Sequence, residues 1–211
     1  MYDLINLNAP SVIDALGSLG DLNDYLHLRV QLIADYRLAS DPDFQKSYRK
    51  YWRMNAARLP EPFFSQYFDV LARCQHDQAA DLPTVTRTIS HKGRRKFGLQ
   101  FSFATKLVHM VDPRVPVFDS FVAAFYFFRP PPPSEPLEDR LATLLEFHGF
   151  LGREYARVIR MGLLAPAIEA LRAEHELDAT VPDERVIDWL IWAWVSLLRL
   201  GAQSRGQALY E

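Results

Sequence analysis

The stretch that most constrains the fold of this chain is GLQFSFATKLVHMVDPRVPVFDSFVAAFYFF, residues 98–128. Pro113 and Pro116 end its first apolar run, and the residues between and after them favour an extended backbone. Asp119 and Ser120 then supply side-chain oxygens that can cap the free amides of a new helix. The pattern predicts a helix, a short extended connector and a second helix that begins at Asp119.

Elsewhere the apolar residues recur at helical spacing, and no long stretch alternates between apolar and polar residues. With 211 residues and 49% hydrophobic content, the chain can fill one sizeable core. The proline-rich segment RPPPPSEP, residues 129–136, favours a semi-rigid spacer. We therefore expect an all-α fold, a single domain built as a two-lobed helical bundle, with residues 1–128 and 137–211 as the lobes.

Several classes of protein are disfavoured by the composition. The longest apolar runs, near Phe118–Phe128 and Trp189–Leu198, are shorter than the roughly 20 residues that span a membrane. The single cysteine, Cys74, excludes an internal disulfide and a four-cysteine metal site, and the six histidines lack metal-ligand spacing. The first residues do not resemble a secretory signal. We expect no metal, no cofactor, no membrane partner and a cytoplasmic location.

The charge is distributed unevenly, although the formal net charge is only −2. Residues 45–60 carry five Lys or Arg and no acidic residue, and residues 82–111 carry six more, again with no acidic residue. The rest of the chain therefore holds 13 basic and 26 acidic residues. Two basic blocks on an acidic chain favour a focused site for a polyanion. The alternative interpretation is that each block is an ordinary solvated surface.

Two groups of cations are the predicted nucleic-acid contacts. The first lies on the helix expected after Pro42, where four cations are spaced to share one stripe: Lys46, Arg49, Lys50 and Arg53. The second is the basic loop HKGRRK, residues 91–96, and the free amides that follow it are suited to holding a phosphate. Its predicted contact residues are Lys92, Arg94, Arg95, Lys96 and Gly98.

The central stretch, about 40 residues from Ser90 to Phe128, resembles the core of the helix-hairpin-helix DNA glycosylase superfamily, which includes 8-oxoguanine and endonuclease-III-like enzymes. In that family the aspartate of a V-P-V-D step is the catalytic carboxylate, and the matching residue here is Asp119 in PVFDS. The resemblance implies a helical two-lobed fold, binding of duplex DNA without a cofactor, and cleavage of the N-glycosidic bond of a damaged or modified base.

The chain departs from the family pattern at the hairpin, where the usual L-P-G-V-G-x-K is replaced by KFGLQFSFATK. The family's lysine nucleophile lies about 18 or 19 residues before the aspartate, and Phe101 and Gln100 occupy those positions here. Lys106 lies 13 residues before Asp119, and Ser102 is near the nucleophile position. The resemblance thus implies hydrolysis without a lysine-dependent lyase step, with Lys106 and Ser102 as further catalytic candidates.

A base inside a duplex has to be flipped into a pocket before its glycosidic bond can be attacked, and aromatic rings stack well on it. The predicted pocket residues are Gln100, Phe101, Phe103, Phe118 and Phe121. Two alternatives remain open: Asp119 as a helix cap alone, and the whole protein as a non-catalytic module that binds nucleic acid or an acidic protein partner. A cavity beside Asp119 favours the enzyme.

Overall fold

The computed structural model describes residues 1–19, 22–92, 95, 96 and 98–204. In this part of the chain all regular secondary structure is helical apart from one pair of two-residue strands, β1 (His91–Lys92) and β2 (Arg95–Lys96), which are antiparallel. The all-α prediction is confirmed. The helices are α1 (Tyr2–Leu7), α2 (Ala9–Leu19), α3 (Leu22–Ala34), α4 (Pro42–Tyr51), α5 (Glu61–Asp77), α6 (Leu82–Ser90), α7 (Phe101–Val111), α8 (Ser120–Phe125), α9 (Leu137–Arg160), α10 (Ala165–Glu174) and α11 (Asp183–Ser204), with 3-10 turns at Tyr36–Ser40 and Met54–Ala57.

The predicted helix, connector and helix of the central stretch are confirmed. Helix α7 ends at Val111, and α8 begins at Ser120 with Asp119 as its N-cap. The Oδ1 atom of Asp119 accepts hydrogen bonds from the backbone N–H groups of Phe121, at 2.8 Å, and Val122, at 3.0 Å. These two bonds satisfy amides that have no partner within the helix, so they fix where α8 starts.

Helix α11 packs against helices from both the N-terminal and the C-terminal part of the chain. Four of its large apolar side chains have no exposed surface, and the helix packs against α2, α8, α9 and α10. Buried apolar residues from both sides of the proline-rich segment consequently form one hydrophobic core. The packing of α11 on α8 brings the C-terminal part of the chain against the helix that Asp119 caps. The four residues are Val186, Ile187, Leu190 and Ile191.

The prediction of one four-cation stripe on α4 is wrong. The helix ends at Tyr51, and Arg53 lies beyond it in the left-handed region, with φ of 52°. The chain turns there because the next side chain, Trp52, is buried in the core. Arg49 is also engaged locally, 3.6 Å above the Phe64 ring and 3.3 Å from a carboxylate oxygen of Glu61. Only two predicted members of the stripe, Lys46 and Lys50, are simple exposed cations.

No helix within the described ranges combines the length and the hydrophobicity needed to cross a membrane.

Candidate functional site

A cavity of about 550 Å³ lies between α7, α8, α11 and the segment that follows α4. It is large enough for a nucleoside-sized ligand, since small-molecule sites commonly measure about 300–1,000 Å³. Its wall is rich in aromatic rings, which suit a planar ligand. The aromatic residues that line it are Tyr51, Trp52, Phe103, Phe121, Trp189 and Trp192.

Asp119 lines this cavity while it caps α8. Both capping hydrogen bonds go to Oδ1, so the second carboxylate oxygen is not used for capping. The side chain is half-buried. A carboxylate in this position can serve the helix and a ligand at the same time, because each function needs one oxygen.

Lys106, on α7, reaches the same cavity. Its Nζ donates a hydrogen bond to the backbone carbonyl of Trp52 at 3.3 Å and lies 5.4 Å from the centre of the Phe103 ring. Burial lowers the pKa of the Lys106 ammonium, and the negative charge of Asp119 acts in the opposite direction. Asp119 and Lys106 are therefore electrostatic neighbours.

Two histidines, His109, which is buried, and His148, which is half-buried, hold the carbonyl groups of the connector that leads to Asp119. The Nδ1–H of His109 donates to the carbonyl of Val115 at 2.7 Å, and the Nε2–H of His148 donates to the carbonyl of Pro116 at 2.9 Å. Burial lowers the pKa of both imidazoles, to well below the usual range for His109. Because Nδ1 of His109 carries the proton, its Nε2 accepts from the Tyr25 hydroxyl at 3.0 Å.

The amide groups of the connector are held from two different helices. An oxygen of Asp188, on α11, accepts from the backbone N–H of Val117 at 3.2 Å, and the hydroxyl of Thr105, on α7, accepts from the N–H of Phe118 at 3.0 Å. These contacts and the two histidines engage four consecutive residues before Asp119. The connector is thus positioned by α7, α9 and α11 together, which fixes the direction in which Asp119 leaves it.

Asp188 is itself a buried member of the cavity wall, with 4% of its surface exposed. Burial raises the pKa of its carboxyl group to about 7, and the opposing influences of Arg185, of the Tyr155 hydroxyl bond and of the Val117 amide do not cancel that effect. Tyr155 donates to Oδ1 at 2.7 Å, and Nη1 of Arg185 lies 3.8 Å from Oδ2. The side chains of Arg185 and Asp188 are therefore close, but they do not form a direct hydrogen bond.

Arg185 is a buried cation held among aromatic rings, with 4% of its surface exposed. Its guanidinium carbon lies 4.4 Å from the centre of the Trp189 ring and 4.5 Å from that of Tyr25. Nη2 donates to the Tyr51 hydroxyl at 2.6 Å, whereas Nε has no hydrogen-bond partner in the structure. Burial opposes the charge of Arg185, yet Tyr51, Tyr25 and Asp188 keep the pKa of the guanidinium above its ordinary value.

Arg53 brings a third cation to the cavity. Its guanidinium carbon lies 4.8 Å from the centre of the Trp192 ring. The left-handed backbone of Arg53 costs roughly 1 kcal/mol for a residue with a Cβ atom. This left-handed turn directs the Arg53 side chain toward the cavity instead of along α4.

Six of the residues predicted from the sequence come together at this cavity, although they lie on separate segments. The rings of Phe103 and Phe121 belong to its wall, as the pocket prediction requires. Ser102 lies beside them at the start of α7. The six residues are Arg53, Ser102, Phe103, Lys106, Asp119 and Phe121.

Three predicted pocket residues lie elsewhere. Phe101 and Phe118 do not line the cavity; they are 2% and 6% exposed and pack against each other with ring centres 5.4 Å apart. Phe101, at the start of α7, and Phe118, in the connector before α8, both face the core, so the prediction that they line the pocket is wrong. Gln100 also lies outside the cavity wall, and its backbone N–H donates to the Ser90 hydroxyl at 3.1 Å.

The basic loop falls largely outside the described part of the chain. That applies to the whole of Arg94 and to the side chains of Lys92, Arg95 and Lys96. Gly98 has φ of 75°, a left-handed conformation that favours glycine.

The sequence interpretation missed the wall that α11 supplies. Trp189 and Trp192 were not among the predicted pocket residues, although both line the cavity and Trp189 donates its Nε1–H to the Tyr51 hydroxyl at 3.2 Å. A signal was present in DERVIDWLIWAW: Arg185 and Asp188 are charged, yet they lie one helical turn apart among the most apolar residues of the chain. Charges within an apolar helical face are expensive unless they are paired or used.

Comparison with known proteins adds no relative: no family model matches the chain, and no curated protein or solved structure does so either.

Proposed function

We propose that this protein binds DNA and hydrolyses the N-glycosidic bond of a damaged or modified base that is flipped into the cavity. The observation that carries the proposal is that Asp119 and Lys106 line one aromatic cavity, and that Asp119 caps α8 through a single oxygen. The resemblance of the central stretch to DNA glycosylases supports the same chemistry. The single cysteine makes the cytoplasm the proposed location.

The chemistry assigns a distinct task to each group. Loss of the base builds positive charge on the sugar, and the second oxygen of Asp119 stabilises that charge or orients the attacking water. The rings of Phe121 and Trp192, with centres 5.5 Å apart, offer stacking surface to the extruded base. The ammonium of Lys106 lies near the carboxylate and interacts with the electron-rich leaving base.

A second candidate function uses the same surface without catalysis. Lys46 and Lys50 are exposed cations. A non-catalytic module would use them, together with the basic loop, to bind nucleic acid or an acidic protein. The cavity beside Asp119 favours the enzyme, because a binding module has no need to leave a carboxylate oxygen facing an aromatic pocket.

The decisive experiment measures base release from duplexes that carry single damaged or modified bases, for the wild type and for Asp119→Asn. Asparagine is an equally good N-cap, so this substitution removes the charge and keeps the helix start. We expect the rate to fall about 100-fold or more, in the range of a lost catalytic carboxylate. Asp41→Asn is the matched control, since Asp41 caps α4 through the same two-bond geometry.

Full activity in Asp119→Asn would remove this carboxylate from the mechanism, and no base release by the wild type from any duplex would leave the binding module as the better proposal. The expected products are a free base and an unbroken strand. A different result would be strand cleavage together with a covalent enzyme–DNA complex that borohydride traps. If Lys106→Gln abolished that complex, the mechanism would be attack by the Lys106 amine and not hydrolysis.

A further inference from the structure

The Tyr51 hydroxyl is oriented by two hydrogen bonds that it accepts. Nη2 of Arg185 donates to it at 2.6 Å and Nε1 of Trp189 at 3.2 Å. A phenolic oxygen that accepts two such bonds directs its own proton away from both donors. Tyr51 lines the cavity and is half-buried, so this proton is available to a bound ligand.

The Arg185 guanidinium is incompletely neutralised. Its nearest carboxylate oxygen, on Asp188, is 3.8 Å away, beyond a direct hydrogen bond. Both oxygens of that carboxylate already accept bonds, one from Tyr155 and one from the Val117 amide. A buried cation with a distant counter-charge gains most from a ligand that brings acceptors to it.

Cations outnumber carboxylates among the described residues that line the cavity. Lys106, Arg53 and Arg185 are cations and Tyr51 offers an O–H. The carboxylates are those of Asp119, which keeps one oxygen outside its capping bonds, and of Asp188, whose two oxygens both accept bonds from the protein. The aromatic faces are also shared with these cations: Arg53 lies over Trp192, and Arg185 over Trp189. A ligand with a fixed positive charge would meet like charges at the rings that otherwise attract it.

We propose that Arg185 and Tyr51 determine specificity by donating to two adjacent acceptors on one edge of the bound ring, which makes a 6-oxopurine with an unsubstituted N7 the preferred base. An arginine reads the O6 and N7 acceptors of guanine in this way. A deaminated adenine, hypoxanthine, presents the same two acceptors, whereas adenine presents a donor at the 6-position. The assignment rests on the proposed function, because it takes the cavity to be the base pocket.

The test is isothermal titration calorimetry of the intact chain with three nucleosides: inosine, adenosine and 7-methylguanosine. We expect inosine to bind about tenfold or more tightly than adenosine, since a two-point contact to a base commonly discriminates by that factor. We expect 7-methylguanosine, with its fixed charge, to give no measurable heat at millimolar concentration. Equal affinities for inosine and adenosine, or no binding of any of the three, would overturn the assignment.

Variants separate recognition from folding. Tyr51→Phe keeps the ring and removes the O–H, so it should reduce the inosine preference several-fold, and Arg185→Met should abolish it. Tyr36→Phe and Arg87→Met are matched controls, because these side chains are exposed and do not line the cavity. Circular dichroism establishes that each variant is folded, and an unchanged preference in folded Tyr51→Phe would exclude the hydroxyl.

The calorimetric result is independent of turnover, so the two proposals can fail separately. Asp119-dependent release of some other base, together with equal nucleoside affinities, would contradict only the assignment of Arg185 and Tyr51. A clear inosine preference without base release from a hypoxanthine-containing duplex would contradict only the hydrolase.

Discussion

At the scale of single residues, the coupling between Asp119 and Lys106 is the feature that most directly tests the site. Burial lowers the pKa of the Lys106 ammonium, and the Asp119 carboxylate partly restores it. Removing the carboxylate charge should therefore lower the pKa of Lys106 further, because the ammonium loses its favourable neighbour. The shift would establish that the two candidate catalytic groups act on each other across the cavity.

The measurement is an NMR titration of ¹³C-dimethylated lysines in wild type and Asp119→Asn, with Lys106→Arg to assign the signal. Asp41→Asn should leave the Lys106 titration unchanged, since Asp41 caps a different helix and does not line the cavity. An identical Lys106 pKa in wild type and Asp119→Asn would contradict the coupling.

Asp119 was predictable from the sequence as a helix cap, whereas the sequence marks Arg185 only as a charge within an apolar helix and does not indicate its partner. The cap requires only a local pattern, two prolines and an extended step followed by an aspartate, because its bonds reach two and three residues along the chain. The position of Arg185 in the cavity wall depends on its hydrogen bond to the Tyr51 hydroxyl, which is 134 residues away in the sequence. Local propensities carry no information about such a contact, so the far wall of the cavity appears only after the chain has folded.

At the scale of elements, the connector before α8 depends on Asp188 of α11, and this dependence should vary with pH. Folding raises the pKa of the Asp188 carboxyl from 3.8 to about 7, so the folded state holds this proton more tightly than the unfolded chain. The contribution of Asp188 to stability is then complete below about pH 4 and is lost as the pH rises toward 7. Integrated over that window, the loss is at most about 4 kcal/mol.

Urea unfolding of wild type and Asp188→Asn at several pH values measures this change. The free energy of unfolding of the wild type, relative to the variant, should fall from pH 4 to pH 8 because asparagine does not titrate. Arg185, Tyr155 and Asp119 are the charged or titratable groups that act on Asp188, and none reverses the direction. A difference that stays constant or increases with pH would show that the carboxyl ionises at least as readily in the folded protein as in the unfolded chain, and would contradict the prediction.

Helix boundaries and tertiary contacts differ in how far the sequence determines them. Prolines and caps mark α7 and α8 locally, and both helices are confirmed. The end of α4 was misjudged because the burial of Trp52, which turns the chain at Arg53, depends on the ring of Tyr25, packed at 6.3 Å between centres, and on that of His109, at 6.0 Å. Packing by distant residues overrode the continuation of a helical pattern.

At the scale of the whole molecule, the two basic blocks contribute to the site in different ways. Arg53 from the first block and Lys106 from the second meet at the cavity, although they are separated in sequence. Other basic residues of the two blocks form local ion pairs: Arg49 pairs with Glu61, and Arg87 pairs with Glu138. The positive charge available to a polyanion is therefore smaller than the composition indicates.

The exposed pair Lys46 and Lys50 provides the test of that remaining surface. If both contact phosphates, their replacement by alanine should weaken binding of duplex DNA regardless of sequence, because phosphate contacts do not read the bases. It should also make the slope of log K against log salt concentration shallower by about 1.8, since each lost contact on duplex DNA contributes about 0.9. Fluorescence anisotropy with a labelled duplex over a range of salt concentrations measures both quantities.

The matched control replaces Arg129 and Arg160, which are exposed cations outside both basic blocks. It removes the same formal charge, so a change common to both double variants would reflect net charge alone. If the slope becomes shallower in the Lys46→Ala, Lys50→Ala double variant and not in the control, phosphate binding is assigned to the α4 surface. An unaltered slope in that variant would exclude this surface as a phosphate-binding site.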